Sequence, residues 1–384
     1  MPSMLGTTVR VSVFGQSHSP AIGCVIEGLP SGFPVDLDAL AHLMARRAPG
    51  QGPWATTRHE ADTPRIVSGL DREGLTCGAP LAAVIENTDT RSQDYAQVAS
   101  VPRPGHADLV AQAKWHGAQD VAGGGHFSGR LTAPLCVAGG ICLQMLEARG
   151  VRVAAHLSSV AGVVDEPLSW RELTPDSQDR LARQMTVLSE AAFPVLDESA
   201  GERMREAIEA ARKDADSVGG TIECVASGMP CGVGSPMADG IENLLSRAAF
   251  AIPAVKAIEF GAGFEAAGMR GSAHNDPYVP SPSGPLPAKN DAGGILGGIT
   301  TGAPIRFRVA VKPTASIGRE QDSVDLRTGE ACRLAVHGRH DPCIAPRAAP
   351  VVEAVCALTL LDALLTWPAD PDRHTDAEPA SCEG

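Results

Sequence analysis

Two stretches of this chain follow one pattern. Residues 11–32 read V-S-V-F-G-Q-S-H-S-P-A-I-G-C-V-I-E-G-L-P-S-G, and residues 219–232 read G-G-T-I-E-C-V-A-S-G-M-P-C-G. In each, a strand-like run stops at a Gly-x-Pro turn and passes into a helix. The first helix is expected over 37–47, with Asp36 as its N-cap and Arg46 and Arg47 at its end before Pro49 and Gly50. The second is expected near 237–249. A strand–turn–helix unit used twice suggests two related halves within an α+β fold.

The rest of the chain fills in around these units. Strands are expected at 65–70, at 80–89, within 151–163 and at 305–311. A helix over 133–149 carries Ala133, Ala138, Gly139 and Gly140, small residues that suit close packing. Residues 164–200 read as polar and irregular, 201–214 as an amphipathic helix, and 269–290 as a long functional loop. The almost wholly apolar helix over 351–366 reads as core. One domain is expected over 1–368, with 369–384 a disordered polar tail.

Composition narrows the function classes. The chain has 384 residues, 32 Lys and Arg against 45 Asp and Glu, a net charge of −13, and only 4% aromatics. That balance offers no bulk attraction for nucleic acid or anionic membranes, and too few rings for a stacking platform. No continuous apolar run approaches the roughly 20 residues of a membrane helix, and no secretory signal is visible. Ten cysteines lack any C-x-x-C spacing, and several sit in apolar runs. Reduced thiols in a cytoplasmic protein are therefore expected.

The chemistry concentrates between Arg103 and Thr132, which read R-P-G-H-A-D, an amphipathic interval, then G-G-G-H-F-S-G-R-L-T. Arg103 and Arg130 bring fixed charge, and His106 and His126 bring imidazoles that can carry protons. Gly123, Gly124 and Gly125 let backbone approach a ligand closely. His18 follows a strand in G-Q-S-H-S, a rigid support for an acid or base. G-G-I-L-G-G-I-T-T-G (293–302) has no lysine and no Walker spacing, so it is not a P-loop. Lys312, Thr314 and Ser316 follow it as donors, and Arg339 and Asp341 share one turn. Neither G-x-S-x-G nor H-E-x-x-H occurs, so the hydrolase templates find nothing to hold.

Taken in order, these segments resemble the chorismate synthases over nearly the full chain. The resemblance runs through V-F-G-Q-S-H-S, I-E-N-T-D-T-R-S-Q-D-Y (85–95), R-P-G-H-A-D and G-G-G-H-F-S-G-R-L-T-A. It continues through A-G-G-I-L-G-G-I-T-T-G, K-P-T-A-S-I and G-R-H-D-P-C-I-A-P-R-A. Each motif is only glycine, proline and charge; their shared order carries the resemblance.

The resemblance implies a β-α-β sandwich, a homotetramer and a cytoplasmic enzyme of aromatic amino-acid biosynthesis. It implies a lyase that converts 5-enolpyruvylshikimate 3-phosphate to chorismate and phosphate by anti-1,4 elimination. That reaction needs reduced FMN although it has no net redox change. By the same resemblance His18 serves the leaving phosphate, and His106 stands by the reduced flavin. Asp341 acts through the flavin N5, and Ser17 and Ser128 support the proton path. FMN would contact His126, Phe127, Ser128, Gly297, Lys312, Pro313, Thr314, Ala315, Ser316 and Arg339, with Pro253 and Ala254 as a further pair. Arg46, Arg47, Arg130 and Arg347, joined by Arg339, are the candidates for the substrate's carboxylates and phosphate.

Several positions depart from the family pattern. Gln16 and Ser19 stand in a segment that many relatives write G-E-S-H-G, and Ala48 and Ala122 where they often have arginine. His126 replaces a further arginine, and Pro253 an asparagine. Pro53 takes the place of an arginine associated with NADPH, so NADPH and an external donor both stay open as reductants. Two other functions compete: a flavin-dependent oxidoreductase, and an inactive anion-binding relative. The first lacks a G-x-G-x-x-G after a strand.

Overall fold

The two related halves are visible in a computed structural model that describes residues 3–50, 52, 54–55, 62–87, 100–280, 284–336 and 341–369. In the first half, β1 (Met4–Leu5), β2 (Arg10–Phe14), β3 (Ala21–Glu27), β4 (Arg65–Ser68) and β5 (Leu81–Glu86) form one sheet. Its order is β1-β2-β3-β5-β4, and every neighbour is antiparallel. Alternation sends Val11, Ile22, Cys24, Ile26, Leu81, Ala83 and Ile85 into the core, and leaves Ser12 and Phe14 on the outer face. Helix α1 (Leu37–Arg47) follows β3, capped by the Asp36 carboxylate on the Asp38 and Ala39 N–H groups. After β5 come α2 (Asp108–Trp115) and α3 (Thr132–Glu147).

The second sheet contains β6 (Arg152–Val160), β7 (Val163–Val164), β8 (Gly220–Ser227) and β9 (Val255–Phe260). Helices α4 (Pro175–Glu190) and α5 (Glu198–Lys213) precede β8, α6 (Ile241–Ala249) precedes β9, and the short α7 (Gly271–His274) follows it. The hairpins β10 (Tyr278–Val279) with β11 (Leu286–Pro287) and β12 (Ile295–Leu296) with β13 (Ile299–Thr300) come next. Then β14 (Ile305–Val311) returns to the sheet, giving the order β7-β6-β8-β14-β9. The hairpin β15 (Gln321–Val324) with β16 (Ala331–Leu334) precedes the long α8 (Ala345–Thr366).

Setting aside β1, β7 and the inserted helices and hairpins, both halves run strand, strand, helix, edge strand, inserted strand, helix. The repeat extends to single hydrogen bonds. Thr76 Oγ1 donates to Pro30 C=O at 2.6 Å and accepts from Phe33 N–H at 2.9 Å. Thr300 Oγ1 donates to Pro230 C=O at 2.6 Å and accepts from Val233 N–H at 2.9 Å. Each hydroxyl ties down the Gly-x-Pro turn that ends the matching strand.

Helices α3 and α8 lie side by side between the sheets, α3 against β3 and β5, α8 against β6 and β8. Gly139 permits the contact: a Cβ there would stand 2.3 Å from Ala354 C=O. Gly140 does the same for α1, where a Cβ would meet Leu40 Cδ1 at 2.7 Å. One buried cluster runs through this layer and both sheets. The architecture is the β-α-β sandwich expected from the sequence.

Three expectations need correction. Residues 164–200 are not irregular: Thr174 caps α4, whose Leu181, Met185 and Leu188 seal the outer face of the second sheet against Ala154, Trp170 and Val225. The polar residues on the other side of α4 had masked that stripe. The 269–290 loop holds α7 and a hairpin, and the Asp276 carboxylate accepts from Asp291 N–H at 2.8 Å and Ala292 N–H at 2.9 Å. The segments 129–147 and 345–366 are long and apolar enough to cross a bilayer, but 83% and 89% of them are buried within the fold. Nine cysteines are described; all carry free thiols, and six are buried.

Candidate active site

Equivalent connections from the two halves meet at one end of the helical layer. The segment after β5 brings Arg103, His106 and the glycine triplet, and the segment after β14 brings Lys312, Ser316 and Asp341. The C-terminal ends of α1 and α6 close the space with Arg47, Pro49 and Phe250 to Pro253. The cavity has a volume of about 740 Å³, within the ~300–1,000 Å³ usual for small-molecule sites. Arg47, Arg103, Arg130, Arg347, Lys256 and Lys312 line it, and among described residues Asp341 is the only carboxylate on its wall. On a chain of net charge −13, such a wall is built for an anion.

The turn Pro104-Gly105, with Gly105 at φ 71°, brings His106 back toward Asp108. His106 Nδ1 stands 2.6 Å from Asp108 Oδ1. Arg103 donates to both oxygens of that carboxylate at 2.8 Å and to Ser316 Oγ at 3.1 Å. Burial alone would raise the Asp108 carboxyl, but Arg103 and His106 hold it well below the usual carboxylate range. An ionised Asp108 places the ring proton on Nδ1. Nε2 is then the atom His106 offers for proton exchange.

The glycine triplet runs close past two imidazoles, and all three glycines have positive φ, 62°, 102° and 53°. A Cβ on Gly123 would lie 2.2 Å from His18 Cε1 and 2.6 Å from Ser17 Oγ. A Cβ on Gly124 would lie 3.3 Å from His106 Nε2. Ser17 N–H donates to Gly125 C=O at 3.1 Å. His18 and Ser17 thus sit directly behind Gly123, which itself lines the cavity.

Elsewhere around the cavity, Arg47 and Arg130 share the buried carboxylate of Asp62. Arg347 pairs with Asp341, and its Nε donates to Arg47 C=O at 3.2 Å. Phe127 leans on Trp115, ring centroids 5.8 Å apart, and His126 Nε2 meets Ser3 Oγ at 2.9 Å. Ser128 Oγ accepts from Arg130 N–H at 3.2 Å. Burial and the neighbouring Lys256 hold the Lys312 ammonium below its ordinary pKa.

A chorismate synthase sequence profile matches residues 9–365. The chain is 50% identical to the chorismate synthase of Lancefieldella parvula over 377 residues, 97% of this chain and 99% of that one. It is 45% identical to that of Aeropyrum pernix over 362 residues, covering 94% and 92%. The chain belongs to the chorismate synthase family. Its activity is that of the family, the shikimate-pathway lyase reaction that forms chorismate. The fold agrees: a crystal structure of chorismate synthase superposes with a TM-score of 0.71 at 24% identity, covering 94% of this chain and 92% of the other.

Of the residues expected to bind or react, the structure gathers His106, His126, Phe127, Ser128, Lys312, Thr314, Ala315, Ser316 and Asp341 on one wall system, with Pro253 and Ala254. Arg47, Arg130 and Arg347 join them. It does not bring Arg46, Pro313 or Gly297 there, and Ser17 and His18 stand behind Gly123 rather than on the wall itself. Arg46 points into the helical layer, donating to both oxygens of Glu353 at 2.8 and 2.9 Å. Pro313 lies behind the wall against Gly219. Gly297 is exposed in the turn joining β12 to β13. Arg339 lies outside the described residues, as does Pro53. Sequence reasoning missed Asp62, Asn87, Asp108 and Lys256 as parts of the site. Asp108 alone carried a signal, standing two residues past His106 in R-P-G-H-A-D.

Proposed function

We propose that this cavity holds reduced FMN and 5-enolpyruvylshikimate 3-phosphate together and carries out the anti-1,4 elimination on that pair. The observation that carries the reading is a wall on which six cations and, among the described residues, one carboxylate stand with His106 and Gly123, while His18 lies just behind Gly123. Arg47, Arg130 and Arg347 suit the two carboxylates and the phosphate of a triply anionic substrate.

The residues present fit a flavin phosphate. Thr314 Oγ1 is buried without a hydrogen-bond partner among the described residues, and it lies on the same wall as Lys312 and Lys256. A buried hydroxyl of that kind is costly until an acceptor or donor arrives. Lys312, Thr314, Ala315 and Ser316 would hold the cofactor, together with His126, Phe127 and Ser128 of the same cavity lining. When bound, reduced flavin supplies an electron-rich ring that lends electron density as the allylic C–O bond breaks.

The protein's own groups handle position and protons. Phosphate leaves with the bonding electron pair, a ring hydrogen is lost as a proton, and a new double bond closes the balance. His18 donates a proton to the departing phosphate, help worth roughly 10²–10⁴-fold. His106, fixed through Nδ1 by Asp108, offers Nε2 to the cofactor. Asp341, paired with Arg347 on the wall, would receive the ring proton by way of the flavin N5, and Ser17 and Ser128 support the path. Within this reading, residues 1–368 form one catalytic domain of a cytoplasmic homotetramer, supported by the family resemblance and by the reduced thiols. NADPH is the reductant to be tested first, with an external donor as its competitor.

Separable binding is the test. Lys312→Ala should weaken FMN binding about tenfold or more while substrate affinity holds, and Arg130→Ala should do the reverse. Equal loss of both ligands in each variant, or loss of neither, contradicts the assignment.

A further inference from the structure

Asp62 touches neither the cavity nor solvent. Its side chain is 0% exposed, and it is absent from the cavity wall. One carboxylate oxygen meets Arg47 and the other meets Arg130. We propose that Asp62 is a positioning residue whose carboxylate holds these two guanidinium groups side by side as a clamp for the anionic groups of the substrate. The proposal rests on the reading that Arg47 and Arg130 bind substrate.

Three observations support it. First, the two arginines come from different elements, the end of α1 and the turn before α3, and Asp62 is the group they share. Two like charges facing one cavity repel each other; a shared counter-ion keeps them together before any ligand arrives. Second, each guanidinium has a further hold besides Asp62. Arg47 Nε donates to Thr132 Oγ1 at 3.1 Å and its Nη2 to Gly129 C=O at 2.9 Å, while Arg130 Nε donates to Asn87 Oδ1 at 2.9 Å. Third, the Asp62 backbone is left-handed, φ 49°, a conformation that asparagine and aspartate adopt more readily than most residues.

Charge makes the arrangement specific. Two guanidinium groups and one carboxylate leave a single positive charge, which a substrate carboxylate can match. Burial would raise the Asp62 carboxyl, but Arg47 and Arg130 hold it below the usual range, so it stays ionised at neutral pH. With both oxygens engaged and no contact with the cavity, Asp62 cannot exchange protons with a ligand. Its part is geometric.

Anaerobic steady-state kinetics with chemically reduced FMN test this, beside FMN binding and thermal melting. Asp62→Asn keeps the shape but removes the charge. It should raise the substrate KM about tenfold or more, with kcat within about threefold and FMN affinity unchanged. An unchanged KM in the folded variant overturns the proposal. So does a joint collapse of kcat, FMN affinity and melting temperature, which marks a merely structural role. If Asp62→Asn cannot be purified, Asp62→Glu keeps the charge and displaces the clamp by one methylene. Its KM should rise several-fold at near-native melting temperature, and an unchanged KM there overturns the proposal too. Arg47→Lys separates the two levels of inference. If it leaves KM unchanged, the arginine assignment fails; if it raises KM while the Asp62 variants do not, Asp62 alone is wrong.

Discussion

His106 gives its Nδ1 to Asp108 at 2.6 Å and keeps Nε2 against the Gly124 backbone at the cavity wall. One carboxylate thereby fixes both the tautomer and the direction of the ring. His106→Ala should lower kcat by about 10²-fold or more without unfolding the protein. Asp108→Asn should lower it less, by about 10–100-fold, and shift the pH–rate profile, because the ring loses its orienting partner. Near-normal turnover in His106→Ala removes that residue from the mechanism.

Two glycines in the same stretch should behave oppositely. Gly123→Ala puts a methyl 2.2 Å from His18 Cε1, at a φ of 62° that alanine resists. Gly129→Ala meets nothing within 4 Å. The first should cost about 1–3 kcal/mol and most of the activity, the second less than about 0.5 kcal/mol. Paired melting curves and turnover numbers decide it.

Thr314 offers a trade between stability and binding. Its buried hydroxyl has no partner among the described residues, so Thr314→Val should leave the apo melting temperature unchanged or raise it. FMN affinity should fall about ten- to a hundredfold, as expected for a lost hydrogen bond to a charged group. A melting temperature lowered by several degrees, with FMN binding intact, would show that the hydroxyl serves the fold.

A pH effect on stability should come from the second sheet. His156 is buried between Asp165 at 2.9 Å and Glu223 at 3.0 Å. Burial lowers its pKa, but the two carboxylates overcome this and hold it above 6.5. The imidazolium's contribution is complete below pH 6.5, and is lost as pH rises through the higher folded value. Glu223, held down to about 2 by His156 and Arg306 against the effect of its burial, remains ionised throughout. The melting-temperature gap between the wild-type protein and His156→Gln should therefore be widest near pH 6 and narrow toward alkaline pH. A gap independent of pH contradicts the charge assignment.

Local features were legible in the sequence and distant pairings were not. The echo between residues 11–32 and 219–232 announced the duplication, because a Gly-x-Pro turn has its own backbone requirements. It could not show that Thr76 and Thr300 complete those turns, since each lies far along the chain from its partners. Arg46 and Arg47 look alike in sequence, but one helical step turns the first toward Glu353 and the second toward the cavity. Asp62 lies 68 residues before Arg130, in a stretch that reads as an ordinary polar loop. Helix α4 was hidden by its own solvent face. Glycines and histidines marked where the site is; the carboxylates that organise it had to be seen folded.

The central claim is that this cavity performs an elimination that returns its flavin unchanged. The direct measurement is anaerobic stopped flow with reduced FMN and 5-enolpyruvylshikimate 3-phosphate, following phosphate release and flavin absorbance together. Phosphate should appear over many turnovers while the flavin ends as reduced as it began. Net flavin oxidation in step with turnover, or substrate binding with no phosphate released, contradicts the account.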